Sequence, residues 1–145
     1  MRILVINGPN LNLLGVREPD IYGKQTFAEL EEYIRRCADE LGLSAELFQS
    51  NHEGAIVDKI QAALYTADGI LINPAAYTHT SVAILDALKA VSLPTAEVHL
   101  SDINTREEFR RFSYVSLYAQ KTICGMGFAG YRAALEWLKE REQGK

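Results

Sequence analysis

Arg2-Ile3-Leu4-Val5-Ile6, followed at once by Asn7-Gly8-Pro9-Asn10, decides the fold. A short β-branched apolar run without polar alternation reads as a strand covered on both faces, and four turn residues in a row end it in a loop. A strand of that kind belongs inside a parallel sheet, so helices are expected downstream to cover it. Thr26 and Glu29 have capping-box spacing, and Phe27, Leu30, Ile34, Cys37 and Leu41 then share one helical face before Gly42 stops the helix.

The alternation continues. Ala45-Glu-Leu-Phe48 reads as a second strand, followed by the polar turn Gln49-Ser-Asn-His-Glu-Gly54 and a helix with Ile56, Ile60, Ala63 and Leu64 inward. Gly69-Ile-Leu-Ile-Asn73 is the third strand, and a helix over 81–91 buries Val82, Leu85 and Leu88. Thr95-Ala-Glu-Val-His99 after Pro94 is the fourth and Lys121-Thr-Ile-Cys-Gly125 the fifth, before a closing helix over 128–141 that turns Tyr131, Ala134, Leu135 and Leu138 inward. Strands alternating with helices predict an α/β fold, a three-layer sandwich around a five-stranded parallel sheet, because right-handed crossovers place helices on both faces. The expected order is flavodoxin-like, 2-1-3-4-5, with residues 1–145 forming a single catalytic domain.

Composition is that of a folded chain. Of 145 residues, 48% are hydrophobic and 23% charged, close to the average for globular domains. No apolar stretch approaches the roughly 18 to 20 residues of a membrane span, and no secretory or lipidation signal is read at the termini, so a cytoplasmic protein is expected. Two cysteines, Cys37 and Cys124, sit in apolar patterns and read as reduced core residues rather than a disulfide or zinc framework. A net charge of −4 offers no general attraction to nucleic acid or anionic lipid.

Ligands of open α/β sheets bind beyond the carboxyl ends of the strands. Those positions hold Asn7 and Asn10, then Asn73 and His79, then Glu97, His99 and Ser101, with Arg106 and Arg110 beyond, all expected on one rim. No G-x-G-x-x-G follows strand one, and G-x-x-x-x-G-K-[ST], G-x-S-x-G and H-E-x-x-H are absent, so phosphoryl transfer and metal chemistry are disfavoured. Amides, histidines, arginines and tyrosines suit a polyhydroxylated carboxylate and proton transfer on it. Arg17 stands near Tyr22 in the first loop, where a guanidinium favours the phenolate and makes Tyr22 a candidate base. Glu97 and His99, two apart on a strand, face the same side, so a carboxylate can orient an imidazole poised to protonate a departing hydroxyl. Asn10 and Asn73 supply amide hydrogen bonds to an oxyanion, an ordered water or a carboxylate. His52, in a polar turn, is expected to hold that turn, and Trp137 to pack or meet a partner.

Four ordered motifs carry a resemblance across essentially the whole chain. Asn7-Gly-Pro-Asn-Leu-Asn-Leu-Leu-Gly15 with Arg17-Glu-Pro and Tyr22-Gly23, Gln49-Ser-Asn-His-Glu-Gly54, Asn73-Pro-Ala-Ala-Tyr-Thr-His-Thr-Ser81 and Glu97-Val-His-Leu-Ser101 resemble type II 3-dehydroquinate dehydratase. The resemblance extends to Gly125-Met-Gly-Phe-Ala-Gly-Tyr131. It implies a hydro-lyase of the shikimate pathway, in aromatic amino acid biosynthesis, removing water from 3-dehydroquinate by anti elimination through an enolate, without cofactor or metal. By that resemblance Tyr22 is the base, activated by Arg17; Asn10 helps hold the water that stabilises the enolate; and His99, partnered by Glu97, is the acid. Asn73 and the main-chain amides of Leu100 and Ser101 would bind the substrate carboxylate, His79 and Arg110 ring hydroxyls, and Asp86 would reach a neighbouring subunit's site. The resemblance further implies a homododecamer, a tetramer of trimers.

Ala75 stands where many members have Gly, and Asp102 where Asn usually follows His-Leu-Ser. They are the only sequence hints toward the alternative, a flavodoxin-like domain that binds a small anion without turning it over.

Overall fold

The computed structural model describes residues 1–16, 20 and 24–143. Five strands, β1 (Arg2–Asn7), β2 (Ser44–Gln49), β3 (Gly69–Asn73), β4 (Thr95–His99) and β5 (Lys121–Cys124), form one sheet. Every neighbouring pair is parallel, in the order β2-β1-β3-β4-β5, as the alternation of elements predicts. Among the described residues, four α-helices cover it: α1 (Phe27–Leu41), α2 (Glu53–Thr66), α3 (Val82–Val91) and α4 (Ala129–Gln143).

The period-2 geometry of the strands divides the interior into two layers. Ile3, Val5, Leu71, Ala96 and Val98 pack with Leu30 and Ile34 of α1 and Tyr131, Leu135 and Leu138 of α4. Leu4, Ile6, Ile70 and Ile72 pack on the other face with Ile56 and Ile60 of α2 and Ile84 and Leu88 of α3. Each such Ile or Leu, removed from water, contributes about 1.5 to 3 kcal/mol before chain entropy is charged against it. Thr26 caps α1 by accepting from Glu29 N at 3.2 Å, and Gly42 ends it in the left-handed conformation. No helix among the described residues is long and apolar enough to cross a membrane.

Two positions expected inward face solvent: Leu64 is 47% and Val82 48% exposed. Leu64 lies about 80° around the helix from Ile56, at the margin of the buried stripe, and Val82 about 120° from Leu88. Cys37 is buried as expected, whereas Cys124, at the end of the edge strand, is only partly covered. β1 runs one residue further than its apolar stretch, because Asn7 still pairs with Gln49 and Asn73 across both neighbouring strands.

At the carboxyl edge the chain approaches itself closely. Gly8 N donates to Asn73 O at 2.8 Å, and a Cβ on Gly8 would lie 2.5 Å from the carbonyl oxygen of Pro74, so only glycine fits there. The loop after β2 clamps the loop after β1: Gln49 Nε2 donates to Gly8 O at 3.1 Å, and Asn51 Oδ1 accepts from Asn10 N at 3.0 Å. These side chains do what was expected of His52, whose contribution is its backbone N–H, donated to Ser50 Oγ at 3.0 Å.

Candidate active site

One cleft at the carboxyl edge of the sheet is lined by Asn10, Asn73, His79, His99, Leu100, Ser101, Arg106 and Arg110, with Ala75 and Ile103 among its apolar walls. Seven of the eleven predicted site residues therefore meet there. Glu97 lies directly beneath, fully buried. Asp86 is exposed on α3 and takes no part in the lining. Arg17 and Tyr22 lie outside the described residues.

Because Val98 faces α4, Glu97 and His99 face the other side of β4, where the segment after Arg110 crosses. His99 Nε2 donates to Glu97 Oε2. Ser113 Oγ donates to the same oxygen at 2.7 Å and Ser116 Oγ to Oε1 at 2.6 Å. Burial pushes the Glu97 carboxyl up, but the hydrogen bonds from His99, Ser116 and Ser113 more than offset it and hold it below the ordinary carboxylate value. An ionised carboxylate only accepts, so the proton shared with it belongs to His99 Nε2, and Nδ1 is the ring nitrogen left to serve the cleft.

His79 takes the opposite tautomer. Its Nδ1 is 2.8 Å from Phe112 O, and a carbonyl can only accept, so Nδ1 carries the proton. Burial lowers the His79 pKa, and His99, Arg110 and Arg106 add to the effect, more than balancing the Phe112 bond. A neutral ring leaves Nε2 as an acceptor, suited to a hydroxyl. Phe112 thus holds His79 directly and Ser113 holds His99 through Glu97, from adjacent positions, and Tyr114 N ties them to the turn below by donating to Thr78 O at 3.0 Å.

Asn10 stands at φ 68, a left-handed conformation that asparagine tolerates better than most residues, and its side chain borders the cleft. Arg110 Nε lies 2.6 Å from Glu107 Oε2, an ion pair at the rim. Leu100 and Ser101 follow β4 directly; their carbonyls accept from Gly127 N and Gly125 N, at 3.1 and 3.2 Å. Asn7 is not on the rim: it is 1% exposed and turned beneath it.

Arg106, expected on the rim but given no role there, lines the cleft with Nη1 3.5 Å from Ser101 Oγ. Three residues escape the sequence reading. Ser113 and Ser116 carry no signal beyond being small and polar in a loop. Tyr131 appears in sequence as a core residue, and only its neighbours reveal its hydroxyl as polar infrastructure.

The departures from the family pattern are explained locally. Asp102 Oδ1 accepts from Asn104 N at 3.0 Å and caps the turn Ile103–Thr105, which an asparagine oxygen would do equally. Ala75 adopts φ 52, a conformation that glycine occupies without strain.

Residues 1–139 match the family model for dehydroquinase class II. A 3-dehydroquinate dehydratase of Dinoroseobacter shibae is 54% identical over 138 residues, 95% of this chain and 92% of that protein. A catabolic 3-dehydroquinase 1 of Aspergillus terreus is 58% identical over 134 residues, 92% of this chain and 88% of its own. The crystal structure of a type II dehydroquinase from Butyrivibrio crossotus superposes with a TM-score of 0.93 at 50% identity, covering 95% of this chain and 97% of that one. On fold, cleft and sequence together, the chain belongs to the class II dehydroquinase family.

Proposed function

We infer that this protein is a 3-dehydroquinate dehydratase, a hydro-lyase that converts 3-dehydroquinate to 3-dehydroshikimate in the shikimate pathway. The observation that carries the reading is the histidine His99, bonded through Nε2 to a buried ionised Glu97, in a cleft shared with Asn10, Asn73, His79, Arg106 and Arg110. That set can receive a carboxylate and ring hydroxyls and deliver a proton, which an elimination of water requires.

In this mechanism Tyr22, as a phenolate favoured by Arg17, removes the C2 proton, and the electron pair passes into the neighbouring carbonyl to give an enolate. Asn10 holds the water that stabilises the enolate oxygen. Collapse of the enolate forms the C1–C2 double bond and expels the C1 hydroxyl, which takes a proton from His99 Nδ1 and leaves as water. Asn73 and the amides of Leu100 and Ser101 hold the carboxylate; the His79 acceptor and the Arg110 guanidinium hold hydroxyls. No cofactor or metal takes part, and the chain acts as a single catalytic domain in the cytoplasm.

The assembly is a homododecamer, a tetramer of trimers, in which Asp86 contributes to a neighbour's site. Its support is an exposed face on which Asp86 and Val82 of α3 lie one turn apart, with Leu117 exposed on a turn packed against the same helix. Light scattering on the purified protein reads the mass directly, and a monomer would remove the role of Asp86.

The test of activity is turnover of 3-dehydroquinate by purified protein with a chelator present, followed by the absorbance of the conjugated enone. Turnover establishes the metal-independent reaction. A folded, oligomeric sample that binds but does not turn over substrate would favour the anion-binding alternative.

A further inference from the structure

A line of hydrogen bonds runs beneath the cleft with a direction that can be deduced. Ala75 N lies 3.1 Å from a side-chain atom of Asn73, and a backbone N–H only donates, so that atom is Oδ1. The other end of the amide is therefore Nδ2, which donates to Tyr131 Oη at 3.0 Å. A phenol has one proton, and Tyr131 passes it to Asn7 Oδ1 at 2.6 Å. Asn7, Asn73 and Tyr131 are 1%, 3% and 0% exposed, so water does not compete for these groups. The ring of Tyr131 is packed in the α1/α4 layer and gives its hydroxyl a fixed origin.

We propose that Tyr131 is a positioning residue for substrate binding: its hydroxyl, oriented by Asn7, locks the amide of Asn73 so that the second Nδ2 proton faces the substrate carboxylate. The inference rests on the reading of Asn73 as a carboxylate ligand given above. One anchor, Ala75 N at Oδ1, leaves the amide free to pivot about that oxygen. The second anchor, at the opposite end, removes the pivot and consumes one of the two Nδ2 protons. A single donor remains, on the side that borders the cleft. Burial raises the Tyr131 pKa, so the hydroxyl keeps its proton and the direction of the line does not change with pH in the working range. Tyr131 touches no substrate; it acts through Asn73.

Tyr131→Phe deletes the oxygen and keeps the ring. The carboxylate is held alike in ground and transition states, so the expected result is a rise in KM for 3-dehydroquinate of about tenfold with kcat within about threefold. A structural role alone would lower the melting temperature and leave KM where it was. If the variant does not fold, Tyr131→Phe with Asn7→Leu removes the orphaned acceptor along with its donor and retains the predicted KM defect. A readout independent of turnover is the side-chain amide of Asn73 by NMR: in the wild type the Nδ2 proton bonded to Tyr131 Oη is expected to be protected from solvent exchange and shifted from its free position, and in the variant to lose both the protection and the shift. Absence of turnover in the wild type would count against the proposed reaction and leave the amide measurement to judge the lock. An unchanged KM in a folded, active variant, or an Asn73 amide as restrained without the hydroxyl as with it, overturns the proposal.

Discussion

Glu97 and His99, two residues apart on β4, are hydrogen-bonded to one another through Oε2 and Nε2, with the carboxylate fully buried and the imidazole at the floor of the cleft. The strand makes the pair possible and the hydroxyls around it make it definite, because Ser113 donates to Oε2 and Ser116 and, at 3.5 Å, Thr122 donate to Oε1. A group held by four donors is a fixed support for the ring.

Glu97→Gln replaces one acceptor oxygen by a donor. Facing four donors, the amide must reject at least one of them. The expected outcome is a loss of at least about tenfold in kcat with little change in KM, since acid catalysis depends on ring orientation and tautomer. Steady-state kinetics check it, and an unaltered kcat would remove Glu97 from the proton-delivery machinery.

Acid should destabilise the fold in two stages. His79 has a folded pKa below its ordinary 6.5, so the unfolded chain binds its proton first and stability falls as pH drops below that value. Glu97 has a folded pKa below 4.5, so its contribution is complete above 4.5 and is lost as pH falls through the folded value. Urea unfolding from pH 7 to pH 3 measures the slopes. His79→Gln should flatten the upper limb and Glu97→Gln the lower; an unchanged profile in either variant would refute its assignment.

Ala75→Gly should stabilise the protein by about 1 kcal/mol, since an alanine at φ 52 pays a left-handed penalty of about 1 to 2 kcal/mol and the added entropy of a glycine returns only part of it. Chemical denaturation tests this. The Asn73 Oδ1 contact to the residue 75 amide is kept, so KM should stay close to its wild-type value; a less stable variant would show that the Ala75 methyl makes packing contacts worth more than the strain.

Tyr22→Phe should lower turnover by at least about 100-fold, the range of a lost general base, with the melting temperature unchanged. Arg17→Ala should move the onset of activity to higher pH, because the phenolate loses its cationic neighbour. Near-normal turnover in the first, or an unmoved acidic limb in the second, would break the assignment.

Much of this protein was decided locally. The run Arg2–Ile6, the alternation of strand and helix and the polar residues beyond each strand determine a doubly covered parallel sheet with its chemistry at one edge, because hydrophobic period and turn chemistry are properties of neighbouring residues. The pairing of Glu97 with His99 was legible for the same reason, being an i, i+2 relation. What only the tertiary structure decided are relations across long separations. Leu64 and Val82 turn outward because the width of the buried stripe depends on what each helix packs against. Ser113 and Ser116 brace Glu97 because a loop after β4 folds back over that strand. Tyr131 meets Asn7 from a distance of 124 residues in sequence, although the three residues obey a simple rule: Asn7 and Asn73 share the strand parity of Val5 and Leu71, which face α4. Parity says which side a side chain takes; only the packed helix says which hydroxyl it will find there.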